Sequence, residues 1–282
     1  MRSRRLLILI LILIGVLVVF YYQRESKVYV ETLPFNSALI GRALPYDVVL
    51  PPRYGLISSR RTRYPVIYLL HGWQNHHDSW LNRTALVDYA SEHQMIIISP
   101  EGNNSWYIDR ANGTDKYESY ILQELIPDVD RRFRTVPNRS SRAIAGYSMG
   151  GYGAVNFGLK HPEVFGFVAS LSGALDAPSR IDDSSIMDAF GELNSVERKT
   201  NDVFRLAEEF RSDRISQLPY FYLDCGRDDP WLSSNQRFAE ILFRRKIPVE
   251  FRQLPGKHDW PYWDKQVREV LRVASDALAG PM

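Results

Sequence analysis

Ser148 sits between two glycines in Gly146-Tyr147-Ser148-Met149-Gly150. A serine hydroxyl is a weak nucleophile until a neighbouring base takes its proton, so the residue type alone carries little chemistry. Its setting carries more. An apolar run, Ala143-Ile144-Ala145, precedes the motif, and the small residues Gly151, Gly153 and Ala154 follow it. A strand, a tight turn and a helix in that order lift a serine to the tip of a strained elbow, where G-x-S-x-G glycines let strand and helix approach without a side-chain clash. The Ser148 hydroxyl would then stand at a helix N-terminus, with the backbone N–H of Met149 turned toward any oxyanion formed there.

Such a serine needs a histidine to accept its proton and a carboxylate to hold the imidazolium. In a strand–elbow–helix protein the carboxylate follows the serine in the chain and the histidine comes last. Of the six histidines, His258 follows Ser148 at a suitable distance, in the loop Pro255-Gly256-Lys257-His258-Asp259 after the last apolar run. His161 falls within the helix behind Ser148, and His71, His76, His77 and His93 come too early. The acid is expected just after the run at 220–225, where Asp228 and Asp229 compete. The spacing Gly226-x-x-Asp favours Asp229 and leaves Asp228 as a turn or capping residue.

The second oxyanion donor should come from the loop after an earlier strand. Leu70-His71-Gly72-Trp73 ends such a strand, and the Trp73 N–H is the candidate, with Gly72 giving substrate access to the backbone. His71 is read as holding this loop by hydrogen bonds. His71, His76, His77 and Asp78 could also be read as metal ligands, but their spacing matches no standard zinc pattern. The expected chemistry needs no metal and no organic cofactor.

The elements that must position these residues alternate. Apolar runs at 28–32, 46–50, 66–71, 95–99, 141–145, 167–172, 220–225 and 249–254 read as strands, several covered on both faces. Helical patterns fall at 80–92, 117–133, 149–161, 204–211, 233–245 and 264–278, with Pro127 expected to kink or break the second of them. Alternation of this kind predicts an α/β fold, a mostly parallel sheet of about eight strands with helices on both faces, whose ligands bind beyond the C-terminal strand ends. The polar stretch 174–216 is long for a simple connection. It is read as a partial lid containing one helix.

The chain has 282 residues, 45% of them hydrophobic and 24% charged, enough for one large domain over 28–282. Its net charge of +2 includes Arg2, Arg4 and Arg5, so the remainder is near neutral and offers nucleic acid no basic face. A single cysteine, Cys225, excludes an intrachain disulfide. Residues 6–22 are apolar and uncharged behind those arginines. They read as an N-terminal transmembrane anchor, followed by a tether at 23–27, with the catalytic domain on the exported, periplasmic or extracellular side. The alternative is a cleaved secretion signal.

The residues together resemble the esterase D family of α/β-hydrolases, which includes S-formylglutathione hydrolases, feruloyl and acetyl-xylan esterases, tributyrin-type esterases and the related mycolyltransferases. The resemblance runs from about Tyr46 to Trp263. It is carried by Leu69-Leu70-His71-Gly72, by Lys116 to Ile121 leading to Pro127, by Gly146 to Gly151, by Gly226 to Asp229, and by Gly256 to Trp263. It implies Ser148, Asp229 and His258 as a catalytic triad and the N–H groups of Trp73 and Met149 as the oxyanion hole. The chain departs from the family's cytosolic members in its N-terminal apolar run, and Trp73 is bulkier than the residue often found there.

A serine carboxylesterase acting on small acyl or aryl esters through an acyl-enzyme is therefore expected. Trp106, Trp231 and Trp260 are candidates for a substrate pocket, since indole faces stack on sugars or aryl groups, and the substrate would be a small-molecule or glycan-linked ester. An acyltransferase of the same fold, a serine peptidase and a non-catalytic membrane-tethered binding protein are the alternatives.

Overall fold

The computed structural model describes residues 10–16, 27–110 and 113–282. Its strands are β1 (Tyr29–Leu33), β2 (Asn36–Ser37), β3 (Arg42–Ala43), β4 (Tyr46–Leu50), β5 (Val66–Leu70), β6 (Ile96–Pro100), β7 (Arg142–Tyr147), β8 (Phe167–Leu171), β9 (Tyr220–Gly226) and β10 (Val249–Leu254). Eight of them form one sheet in the order β1-β4-β6-β5-β7-β8-β9-β10, and β2 pairs with β3 in a small separate ribbon. From β6 to β10 all neighbours are parallel, while β4 runs antiparallel to both β1 and β6. This is the α/β-hydrolase arrangement, mostly parallel and with helices on both faces.

The inner strands β5, β6, β7 and β8 are buried along their whole length. That is why they read as unbroken Val, Ile, Leu and Ala runs rather than as alternating patterns. One face packs on helices 117–132 and Met149–Lys160, with Tyr68, Ile144, Tyr152 and Phe157 in its core. The other packs on helix Trp260–Ala277, with Ile67, Ala145, Val267 and Leu271. Because β6 lies on one side of β5 and β7 on the other, the loops leaving β5 and β7 diverge and open a crevice at their C-terminal ends.

Several helices differ from the sequence pattern. The expected helix 80–92 is two, Ser79–Arg83 and Leu86–Ala90. Thr84 is extended between them, its Oγ1 donating to Trp80 O and accepting from Leu86 N–H, while Ala85 N–H donates to Asp264 Oδ1 at 2.8 Å. A side chain that satisfies local backbone groups and a tertiary carboxylate thus replace a helical turn. Pro127 marks a break in the α-helical register, as expected, standing in the first turn of Ile126–Arg132. The six residues before Ile126 widen into a π-helical register, in which Ile126 N–H reaches Ile121 O. Stretch 174–216 holds three α-helices rather than one, Ser184–Phe190, Val196–Thr200 and Val203–Glu209.

Residues 10–16 are helical and their apolar side chains are exposed. The rest of the apolar run at 6–22, and most of the tether, lie outside the described residues. Among the described residues, no helix is long and apolar enough to cross a membrane.

Candidate active site

Ser148 occupies the turn between β7 and helix Met149–Lys160 with φ 54° and ψ −118°, a conformation that costs a non-glycine residue strain. The surroundings impose it. Ser148 N–H donates to Leu171 O at 3.0 Å, and its carbonyl accepts from both Tyr152 N–H and Ala174 N–H. A Cβ on Gly146 would strike the backbone of Gly150, and one on Gly150 would strike the carbonyls of Leu70 and His71. Both motif glycines are therefore required by close backbone approach.

Two further loops reach the serine. His258 Nε2 lies 3.0 Å from Ser148 Oγ, and His258 Nδ1 lies 2.9 Å from Asp229 Oδ2. Asp229 is 5% exposed, and its other oxygen accepts from Trp231 N–H at 2.8 Å. Asp228 is exposed and takes no part in this chain of contacts. The neutral imidazole in this relay carries its proton on Nδ1, toward the carboxylate, and offers the Nε2 lone pair to the serine.

The histidine loop rests on the acid loop. Arg227 N–H donates to Leu254 O and Asp228 N–H to Gly256 O. Gly256, at φ +154°, has the Tyr262 ring where a Cβ would be, and Tyr262 OH donates to Asp224 Oδ1 at 2.9 Å. Burial pushes the Asp224 carboxyl up to about 8, so it is largely protonated near neutral pH and adds little charge beneath Asp229. Asp259 caps helix Trp260–Ala277 by accepting from Tyr262 N–H. That helix consequently starts one turn earlier than its apolar period suggests. Burial likewise raises the Cys225 thiol well above its ordinary value, so it stays protonated.

Across the crevice, Met149 N–H is the first of its helix and has no intrahelical partner. Trp73 N–H also lacks a hydrogen-bond partner among the described residues. Its loop is well held. His71 Nε2 accepts from Gly102 N–H at 2.9 Å while Nδ1 donates to Gly72 O at 2.8 Å, Tyr107 OH donates to His71 O, and Gln74 N–H donates to Asn104 Oδ1. A Cβ at Gly72 would enter the Tyr147 ring. His71 therefore serves as a buried strut of this loop, as its position after β5 suggested.

Glu101 was not singled out by the sequence. It joins the two loops, with His76 Nδ1 at 3.1 Å, His77 Nδ1 at 3.3 Å and Asn103 N–H at 2.7 Å. Burial works against its charge, but the nearby His71 ring and hydrogen bonds from His77 and Asn103 prevail and hold its carboxyl well below the usual range. Its signal in the sequence was a lone carboxylate directly after an apolar strand, at the sheet end where ligands bind. The adjacent His76 and His77 both turn toward this carboxylate.

The tryptophans separate. Trp106 is 5% exposed and packs on Tyr152 and Phe190. Trp260 is half-buried in an aromatic group with Trp80, Tyr147 and Trp263, and Trp263 meets the His258 ring edge-on at 4.9 Å. Trp231 is half-buried beside Asp229, with the Arg180 guanidinium 4.5 Å from its ring centre.

The model of the putative esterase family matches residues 37–273. The chain belongs to this family. Among similar proteins, an acetyl esterase of Caldicellulosiruptor saccharolyticus is 29% identical over 74% of this chain and 82% of its own length. An esterase of Mycobacterium tuberculosis is 29% identical over 79% of this chain, which spans 54% of that protein. A ferulic acid esterase structure superposes with a TM-score of 0.78 at 28% identity, covering 90% of this chain and 99% of the other. The esterase is accordingly a serine hydrolase of carboxylic esters.

Proposed function

We propose that Ser148 is the nucleophile of this esterase, His258 its general base and acid, and Asp229 the carboxylate that holds the imidazole. The N–H groups of Trp73 and Met149 form the oxyanion hole. The observation that carries the reading is the unbroken relay from Ser148 Oγ through both nitrogens of His258 to the buried Asp229. His258 Nε2 takes the Ser148 proton as Oγ bonds to the ester carbonyl carbon, and the carbonyl oxygen becomes the oxyanion. The tetrahedral intermediate collapses, the alcohol leaves with the proton from Nε2, and an acyl-enzyme remains. Water, deprotonated by His258, then releases the acid.

Small acyl or aryl esters, free or linked to a glycan, are the proposed substrates, in keeping with relatives named for acetyl and ferulic esters. Hydrolysis is favoured over acyl transfer because Ser148 and His258 are only half-buried and so open to water. Residues 174–216, packed over the helix behind Ser148, act as the partial lid. We expect the full-length chain to hydrolyse p-nitrophenyl acetate and butyrate, and Ser148→Ala to lower kcat by about 10⁴-fold or more. Equal turnover by the two proteins in a p-nitrophenolate release assay would refute the assignment.

The apolar run at 6–22 is proposed to anchor the chain in a membrane, with the catalytic domain exported. The apolar side chains at 10–16 are exposed rather than packed on the domain, which supports an anchor over a core helix. Alkaline washing of membranes leaves an anchored chain in the pellet. Release of a chain shortened at its N-terminus would mean a cleaved signal instead.

A further inference from the structure

Beside the proposed triad lies a pocket of about 360 Å³ to which the chemistry above gives no task. Asp176 and Arg180 line one side, in the segment after β8. Trp231, Ser233 and Arg237 line the other, at the start of helix Leu232–Arg244. Both walls are built on the catalytic loops. Trp231 N–H donates to Asp229 Oδ1, and Ala174, two residues before Asp176, donates its N–H to Ser148 O at 3.1 Å. Two residues of backbone reach at most about 7 Å, so the backbone at Asp176 lies within about that reach of the Ala174 N–H bound to the Ser148 carbonyl. Asn235 Nδ2 donates to Gly173 O and ties the walls together at 2.8 Å.

Two arginines of this pocket, Arg180 and Arg237, lie without an ion-pair partner among the described residues, as Arg63, Arg83 and Arg227 do elsewhere. Arg244, Arg252 and Arg205, all on neighbouring elements, each pair with glutamates. Each guanidinium of the pocket lies instead against an aromatic ring, Arg180 on Trp231 at 4.5 Å and Arg237 on Phe204 at 4.9 Å. Stacking steadies a guanidinium while leaving its N–H fork free, and that fork matches a carboxylate. Asp176 is the one carboxylate in the lining against two arginines, a formal charge of +1, part of which Asp183, outside the lining, offsets through space at Arg180. The backbone carrying Arg180 is held from below, where buried Arg198 donates to Pro178 O at 2.6 Å, Arg180 O at 2.7 Å and Gly191 O at 2.8 Å.

We propose that this pocket is a subsite for a carboxylate carried by the ester away from its scissile bond, gripped by Arg180 and Arg237. The proposal rests on the esterase reading and narrows its substrates to anionic esters. It also gives Trp231 a different role from sugar stacking, since one face of its indole supports Arg180.

Two matched pairs of esters test it on the full-length chain. Mono-p-nitrophenyl glutarate against p-nitrophenyl valerate puts the charge on the acyl part. Acetoxybenzoate against phenyl acetate puts it on the alcohol part. The quantity read is the ratio of kcat/KM, anionic over neutral. In at least one pair, the Arg180→Ala/Arg237→Ala protein should show that ratio lowered about tenfold at low salt, and Arg237→Glu should lower it as well. Added salt should shrink the wild-type ratio toward the variant's, because both arginines are exposed and screened. Ratios equal in wild type and double variant, in both pairs at low salt, overturn the subsite and leave the esterase intact. A wild-type protein inert toward all four esters removes the esterase reading and the subsite with it.

Discussion

At the C-terminal ends of β5, β7, β9 and β10 there is no space for a single methyl group at Gly72, Gly146, Gly150, Gly226 or Gly256. The segment after β8 is built otherwise. Ile181, Leu193 and Val196 are 55–67% exposed there, and its helices run five to seven residues. The strand ends hold Ser148, His258 and Asp229 through backbone bonds and glycine contacts, whose geometry cannot drift. The segment buries Leu175, Ile186, Phe190, Val203 and Ala207 in the main core and is tied by Phe190 on Trp106 and Tyr152, by Tyr152 OH on Asn201 O, and by Arg198, while its outer face stays exposed. Reaction geometry tolerates less displacement than substrate preference does. On the proposed mechanism, the bond-breaking step falls to the strand ends and selectivity to the segment.

The largest effect that could break this division concerns the two aspartates of the acid loop. Asp229→Asn should lower kcat about 10⁴-fold, because an amide oxygen or NH₂ in place of the carboxylate favours the wrong imidazole tautomer and leaves the imidazolium uncompensated. Asp228→Asn, one residue away but exposed, should change kcat less than about twofold. Steady-state kinetics on p-nitrophenyl acetate separates the two. Comparable losses in both variants would mean that the relay through Asp229 does not set the rate.

The same contrast governs what could be read from residue types. Strand ends were legible because buried parallel strands must be apolar throughout, and because a strained elbow and close loop packing demand glycine. The expected strand bounds at 46–50 and 249–254 coincide with β4 and β10, and the others fall within two residues. The chain order of serine, acid and histidine located three residues that the fold brings together across 110 positions. Strand order was not legible, since nothing local says which strands pair. Nor were features that depend on distant partners, such as the break at Thr84 fixed by Asp264 and the hub at Glu101. The segment was the least legible. Its short helices begin at N-caps such as Asp183, Ser195 and Asp202, which look like ordinary loop residues in a polar stretch.

A smaller effect sharpens the division from the segment's side. Arg198 is 3% exposed, and burial lowers its pKa, yet it forms no ion pair among the described residues and spends its guanidinium on three backbone carbonyls and Met187 Sδ. Arg198→Ala would leave those carbonyls unpartnered in a buried place, a loss of about 2–3 kcal/mol with hydrogen bonds to a charged donor. Thermal unfolding should move down by several degrees. Turnover of p-nitrophenyl acetate should fall less than about tenfold, since no group in the relay touches Arg198. The preference for anionic over neutral esters should drop toward that of Arg180→Ala/Arg237→Ala, because the backbone at 178–180 loses its support. If acetate turnover instead collapses as far as in Asp229→Asn while the protein stays folded by circular dichroism, the segment helps hold the reacting groups, and the two regions are one machine rather than two.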